Sequence, residues 1–335
     1  DTVGQRVTGL VNAVGRRIAA HDLQEWVELL SEGLDETDRL AIRTHHPRWI
    51  VAAYEKVLQE NEVAQALEAN NLAPRPTLVM RPGLAEVEEL APAIPTVYSP
   101  FGAVLEGAPG DLAAVREGRA GVQDEGSQLV CLALTRVEAP SGPWLDLCAG
   151  PGGKSALLAG LARQRGEHLV ANEVAAHRAK LVEQALAVYP PGTASVICSD
   201  GRDPEPVRRH APFARIMVDA PCSGLGALRR RPEARWRRTP ADLAELVSLQ
   251  RALLETAIGL LVPGGVVAYV TCSPHADETA AIVEAALKNN PHLELLDAAA
   301  LLPEVPGAAR GGYVQLWPHR HGTDAMFLAL LRGTS

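Results

Sequence analysis

Asp146-Leu147-Cys148-Ala149-Gly150-Pro151-Gly152-Gly153-Lys154-Ser155 is the stretch on which the fold turns. It leaves an apolar run, Trp144–Cys148, through a glycine-rich turn and enters a helical pattern, Lys154–Arg165. Glycines lack a Cβ, so backbone N–H groups at a helix N-terminus stay open to a ligand that side chains would otherwise block. Two of the three ligand classes that use such a turn fail on spacing. A phosphate-cradling P-loop requires glycine five residues before Gly153, where Cys148 stands. A dinucleotide fingerprint requires G-x-G-x-x-G, and Gly150-Pro151-Gly152-Gly153 breaks it at the third glycine.

Outward from the turn the alternation of strand and helix continues. Strands are expected at His168–Asn172, Ser195–Cys198, Ile216–Asp219 and Val266–Thr271, with helices at Ala175–Val188 and Leu243–Leu261. This predicts an α/β fold, a mostly parallel, doubly wound sheet that binds ligands beyond the carboxyl ends of its strands. Elimination leaves S-adenosylmethionine as cofactor for the turn, held by Cys148, Ala149, Gly150, Pro151, Gly152, Gly153 and Lys154. Glu173 lies twenty residues after Gly153 at the next strand end, the right reach to accept from both ribose hydroxyls. Arg178 follows on the next helix, Asp200 stands at the third strand end as an acceptor for the adenine amino group, and Asp219 ends the fourth strand.

Upstream the pattern differs. Val7, Leu10, Val11, Val14 and Ile18 fall at helical spacing, as do Trp26, Val27, Leu29, Leu30 and the stretch Trp49–Leu67, with a break at His45-His46-Pro47. Residues 1–70 are expected to be helical, and the start at Asp1 reads as a piece of a longer chain. Frequent prolines from Asn70-Asn71 to Pro109, with short apolar runs such as Thr77–Met80, predict a small α+β domain over 71–140. Residues 141–335 form the sheet domain.

A net charge of -8 over 335 residues is unevenly spread. Residues 1–140 hold 12 Lys and Arg against 21 Asp and Glu, whereas 141–335 hold 20 against 19. Within the second part, Arg229-Arg230-Arg231-Pro232-Glu233-Ala234-Arg235-Trp236-Arg237-Arg238 concentrates guanidinium groups suited to phosphate. Arg229, Arg230, Arg231, Arg235, Arg237 and Arg238 are therefore candidate contacts for nucleic-acid phosphates. An apolar share of 47% with 21% charged residues excludes a disordered chain. With no run long enough for a membrane span and no leader-like segment, a cytoplasmic protein without a membrane partner is expected. Five cysteines without a C-x-x-C pair argue against a disulfide framework or a zinc cluster, and no metal is expected. Cys131, Cys148 and Cys198 read as small hydrophobes. Cys222, in Asp219-Ala220-Pro221-Cys222, and Cys272, in Thr271-Cys272-Ser273, stand at the ends of adjacent strands as candidate reactive thiols.

Asp146–Lys154, Asp219–Cys222 and Thr271–Ser273 together resemble the RNA cytosine-5 methyltransferases that carry both a proline–cysteine and a threonine–cysteine motif, in particular the bacterial 16S ribosomal RNA enzymes of the Fmu, or Sun, type. Gly9–Val14 is similar to the last helix of that family's NusB-like domain, most of which is missing here. His46–Trp49 and Glu68–Asn71 resemble its linking helices, Gly121–Gln128 the lead-in to its catalytic domain, and the arginine loop ending in Trp236 its insert after the proline–cysteine motif. The resemblance implies a Rossmann-like, S-adenosylmethionine-dependent methyltransferase domain. It implies a monomer that methylates C5 of a cytosine in RNA, with 16S ribosomal RNA as first candidate and transfer RNA as the alternative. Cytosine C5 is too weak a nucleophile to take a methyl group directly, so a thiolate first adds to C6. By resemblance Cys272 is that nucleophile and Cys222 assists release; position alone leaves the two open. Asp219 would hydrogen-bond the cytosine at N3 and its exocyclic amine, with Lys154 supporting the developing charge. The target base must leave its stack, which favours single-stranded or loop RNA.

Two departures from the family follow. Its threonine–cysteine motif precedes an acidic pair and asparagine, whereas Pro274-His275-Ala276-Asp277-Glu278-Thr279 stands here, so Asp277 and Glu278 are not expected to be catalytic. Pro318–Asp324 is rich in histidine, and His319 and His321 are read as having a structural or pocket-edge role rather than as metal-binding. A non-catalytic RNA-binding assembly factor and a DNA cytosine methylase are the rival classes. The first is opposed by the presence of Asp219 and both thiols, and the second has no need of Cys272.

Overall fold

Successive residues of a strand face opposite sides of its sheet, and here that alternation builds two cores. Trp144, Leu169, Ala171, Met217, Val266 and Ala268 pack on one face; Leu145, Val170, Ile216, Val218, Val267 and Tyr269 pack on the other. The computed structural model describes residues 7–334, so the first six residues of the expected helical segment lie outside the described residues.

The chain divides after Glu68 into two compact units. The first is helical: α1 (Thr8–Ile18), α2 (Leu23–Ser31), α3 (Glu36–Thr44), α4 (Arg48–Glu55) and nearly all of α5 (Glu60–Ala69). Asp22 and Glu25 cap α2 reciprocally, and His45 ends α3 in the left-handed conformation just before Pro47. The helical pattern Trp49–Leu67 is two helices, because a turn at 56–59 that no glycine or proline announces separates α4 from α5.

In the second unit, β1 (Thr77–Met80), β2 (Ile94–Pro95), β3 (Gly102–Val104) and β4 (Ala120–Val122) make an antiparallel sheet ordered β2-β3-β1-β4, accompanied by α6 (Ala113–Arg116). Leu78 and Met80 fill this sheet's own core, while Val79 joins the core of the larger sheet through α7 (Glu125–Arg136). The lead-in Gly121–Gln128 makes this joint. Asp124 caps α7 by accepting from Gly126 N, Glu125 accepts from Tyr98 N and Ser99 N, and buried Gln128 donates to Leu78 O and Gln123 O.

The larger sheet follows: β5 (Trp144–Asp146), α8 (Gly153–Gln164), β6 (Leu169–Asn172), α9 (Ala176–Leu186), β7 (Ala194–Ile197), α10 (Glu205–Arg208) and β8 (Phe213–Asp219). Then come α11 (Ala234–Arg237), α12 (Pro240–Ile258), β9 (Leu261–Thr271), α13 (Ala280–Asn289) and β10 (Leu293–Leu296). The chain closes with β11 (Ala309–Arg310), β12 (Tyr313–Gln315), α14 (Pro318–His321) and β13 (Phe327–Gly333). The order is β11-β12-β13-β9-β8-β5-β6-β7, with β10 also on β13. β7, β6, β5, β8 and β9 run parallel, as the alternation predicts, and the strands beyond β9 are antiparallel. The order reverses at β5, which places a ligand crevice beyond the carboxyl ends of β5 and β8. α12 starts three residues before the expected Leu243 because Thr239 and Asp242 form a capping box and Pro240 suits the first turn. Among the described residues no helix is long and apolar enough to cross a membrane.

Candidate active site

The turn after β5 is held from behind by two charged side chains. Glu173 is 3% exposed; its Oε2 accepts from Gly150 N at 2.9 Å and its Oε1 from Ala175 N at 2.9 Å. Arg178 donates to the Gly150 carbonyl and stands 3.7 Å from the Glu173 carboxylate. A Cβ on Gly150 would come within 2.1 Å of Glu173 Oε2, so only glycine fits that approach. Gly152, at φ 109, supplies the left-handed residue from which α8 begins.

In front of the turn lies a cavity of about 260 Å³ walled by Asp146, Cys148, Ala149, Gly150, Lys154 and Asp219 from the strand ends, and by Gln123, Asp124, Arg230 and Asp324 opposite. Lys154 Nζ bonds Asp219 Oδ2 at 2.8 Å. Burial works against the ammonium, yet the Asp219 charge outweighs it and holds the Lys154 pKa above the ordinary lysine range. Asp146 is the site residue that sequence reasoning missed, although it heads the motif. Its carboxyl is pushed up to about 7 by burial; Oδ2 accepts from Ser155 Oγ at 2.6 Å, and Oδ1 is buried with no partner. An unpartnered buried acceptor on a cavity wall calls for a ligand donor. With the glycine cradle beside it, this wall fits a nucleoside bearing a cationic amino-acid end. Asp200 is held by Arg202, which pulls its pKa to about 2, and its side chain is 40% exposed. Neither it nor Glu173 nor Arg178 is part of the cavity wall.

The two thiols meet. Cys222 Sγ and Cys272 Sγ are 3.4 Å apart, brought together by the parallel pairing of β8 with β9. The hydrogen bond between them, then burial, raises the Cys222 pKa well above the ordinary thiol range. Of the other cysteines, Cys131 is fully buried and Cys148 half-buried, but Cys198 is exposed rather than a core residue. It follows β7, the edge strand of the sheet, where only Ile197 is buried.

The arginine loop splits into two populations. Arg229 and Arg230 both bond Asp124 and Asp324, at 2.6 to 3.0 Å, and Arg235 is 4% exposed with Asn70 O and Asn71 Oδ1 as acceptors. These three are spent inside the unit, a correction to the reading of six outward guanidinium groups. Arg231, Arg237 and Arg238 are exposed, beside Trp236 at 66% exposure. Asp324, 95 residues beyond Arg229, gave no sequence signal at all. His321 is bonded at both ring nitrogens within the fold: Nδ1 accepts from Trp317 N at 2.9 Å, leaving Nε2 to donate to Pro306 O at 3.1 Å. Among the described residues no cluster of three His, Cys, Asp or Glu side chains could hold a metal.

Comparison with known proteins joins this geometry to a family. The sequence model of the family described as 16S rRNA methyltransferase RsmB/F matches residues 131–332. A Mycobacterium tuberculosis protein, named only as a methyltransferase, is 50% identical over 97% of this chain and 72% of its own length. The ribosomal RNA small subunit methyltransferase B of Vibrio cholerae is 34% identical over 99% of this chain and 74% of its own. The fold is that of NSun6 from Pyrococcus horikoshii, solved with an S-adenosylmethionine analogue: TM-score 0.73 at 16% identity, covering 86% of this chain and 98% of that one. The chain belongs to the 16S rRNA methyltransferase RsmB/F family, whose members take their methyl group from S-adenosylmethionine.

Proposed function

We propose that this protein methylates C5 of a cytosine in 16S ribosomal RNA through a covalent bond between Cys272 and C6. The observation that carries the reading is the 3.4 Å thiol pair at the ends of β8 and β9, next to the Lys154–Asp219 ion pair. The backbone of Gly150–Gly153 and the free oxygen of Asp146 would hold the cofactor, and a nucleoside extending past the cavity wall would bring its ribose to Glu173 and its adenine to Asp200. S-adenosylmethionine, when bound, supplies the methyl group.

Cys272 adds as thiolate to C6, and the electrons pushed toward N3 are met by Asp219 and Lys154. C5 thereby becomes an enamine carbon able to accept the methyl group. Loss of the C5 proton to a base then expels the Cys272 thiolate and restores the ring, with Cys222 assisting. The raised Cys222 pKa supports this division, since a thiol that keeps its proton suits the assisting role better than the attacking one. Arg231, Arg237 and Arg238 would contact phosphates, and the exposed face of Trp236 suits an unpaired base. A partner of this kind places the protein with ribosomal RNA in the cytoplasm.

The test uses labelled 16S ribosomal RNA with S-adenosylmethionine and denaturing electrophoresis. Cys272→Ala should form neither adduct nor product; Cys222→Ala should accumulate a covalent protein–RNA species. An adduct that persists in Cys272→Ala and vanishes in Cys222→Ala reverses the roles, and full activity in both variants removes the covalent mechanism.

A further inference from the structure

Both thiol-bearing loops are tied to one buried carboxylate. Glu278 is 0% exposed and sits at the end of the short turn Ala276–Glu278 that leads into α13. Its Oε1 accepts from Ser223 N at 2.7 Å and Gln250 Nε2 at 3.0 Å; its Oε2 accepts from Ser223 Oγ and from Ser273 Oγ at 2.7 Å. Ser223 follows Cys222, and Ser273 follows Cys272. The two hydroxyls are themselves 3.1 Å apart, and Gln250 reaches on to Pro221 O at 2.9 Å, so the residues on both sides of Cys222 are fixed to the same group. Tyr269, on β9, donates to the Glu278 carbonyl at 2.8 Å and ties the turn to the strand that carries Cys272. Four donors fill the lone pairs of a carboxylate. A buried charge whose bonding partners include no cation is costly and is kept only by such a full set of bonds.

We propose that Glu278 is the positioning residue of the thiol pair: by holding Ser223 and Ser273 together it sets the separation and aim of Cys222 and Cys272. This rests on the covalent reading above. Glu278 touches neither sulfur by hydrogen bond; it acts through the serines. Its charge also helps keep the proton on Cys222.

Two variants test it. Glu278→Asp retracts the carboxylate by one methylene, out of reach of both hydroxyls, and Glu278→Gln sets a donor where both hydroxyls donate. Each should lower kcat by about 10²-fold, the effect of an ångström-scale misplacement, with the KM for RNA and the Kd for S-adenosylmethionine unchanged. In Glu278→Gln the pH profile of Cys222 alkylation by iodoacetamide, read by mass spectrometry, should also move to lower pH, because the charge that raises its pKa is gone. A kcat within threefold of wild type in either variant, a parallel rise of KM and Kd, or an unmoved profile overturns the proposal. If the wild-type protein methylates no RNA, the covalent reading fails by itself, and the alkylation profile alone decides for Glu278. Should neither variant fold, kcat, KM and Kd measured on Ser273→Ala, which removes one of the four bonds and leaves the charge in place, take their place, and a kcat within threefold of wild type or a parallel rise of KM and Kd again overturns the proposal.

Discussion

Gly150→Ala is the smallest change that should break the cofactor turn. The added Cβ would lie 2.1 Å from Glu173 Oε2, 2.9 Å from its Cδ and 2.8 Å from Arg178 Nε, where contact is normal at about 3.5 Å. Some group must yield by more than an ångström. Arg178, with a half-exposed side chain, can swing away, but Glu173 is buried and held at both oxygens by Gly150 N and Ala175 N. Moving it sacrifices at least one bond to a charged acceptor, about 1.5–3 kcal/mol, on top of an overpacking strain of about 1 kcal/mol. A loss of ~3 kcal/mol is expected from urea titration followed by circular dichroism. In a Glu173→Ala background the obstacle is gone, and the same glycine change should cost under ~1 kcal/mol, a coupling of ~2 kcal/mol between the two sites. Additive effects, or a Gly150→Ala loss below ~0.5 kcal/mol, would mean that Glu173 does not brace the turn.

Two further outcomes follow from burial. The Asp146 carboxyl, at about 7 against 3.8 for the free group, binds its proton more tightly in the folded state. Its contribution is therefore complete below pH 4 and is lost as pH rises through 7, by up to ~4 kcal/mol. Asp146→Asn should flatten the fall in stability between pH 5 and pH 8, and equal slopes for the two proteins would refute the assignment. Replacing Arg231, Arg237 and Arg238 by Ala should weaken RNA binding and flatten log K against log[salt] by ~0.7 per lost contact, whereas Arg229→Ala should destabilise the fold by ~1.5–3 kcal/mol through its lost charged bonds to Asp124 and Asp324, which keep Arg230. A salt slope that responds to Arg229 and ignores the exposed three would invert the division of the loop.

How far the fold could be read depended on the range of the forces involved. The turn at Gly150–Gly153, the parallel strands and the ends that bear Cys222 and Cys272 follow from periodicity and glycine placement, which are local. The antiparallel β10, β12 and β13 escaped attention. β13, Phe-Leu-Ala-Leu-Leu, is apolar without alternation because both its faces are buried, Leu328 and Leu330 in one core and Phe327, Ala329 and Leu331 in the other, and such a run does not distinguish strand from helix.

The site was legible where chemistry is carried by residue type and opaque where it is carried by pairing. A run of six arginines looks like one basic surface until Asp124 and Asp324, over ninety residues away on either side, claim Arg229 and Arg230. Glu278 shows the converse. The departure of Pro274–Thr279 from the family pattern argued against a catalytic role for it. Yet its neighbour Asp277, equally acidic, is 67% exposed, while Glu278 gathers four donors from three separate segments. Only the folded chain separates the two, because a carboxylate acquires a positioning role from the donors that converge on it.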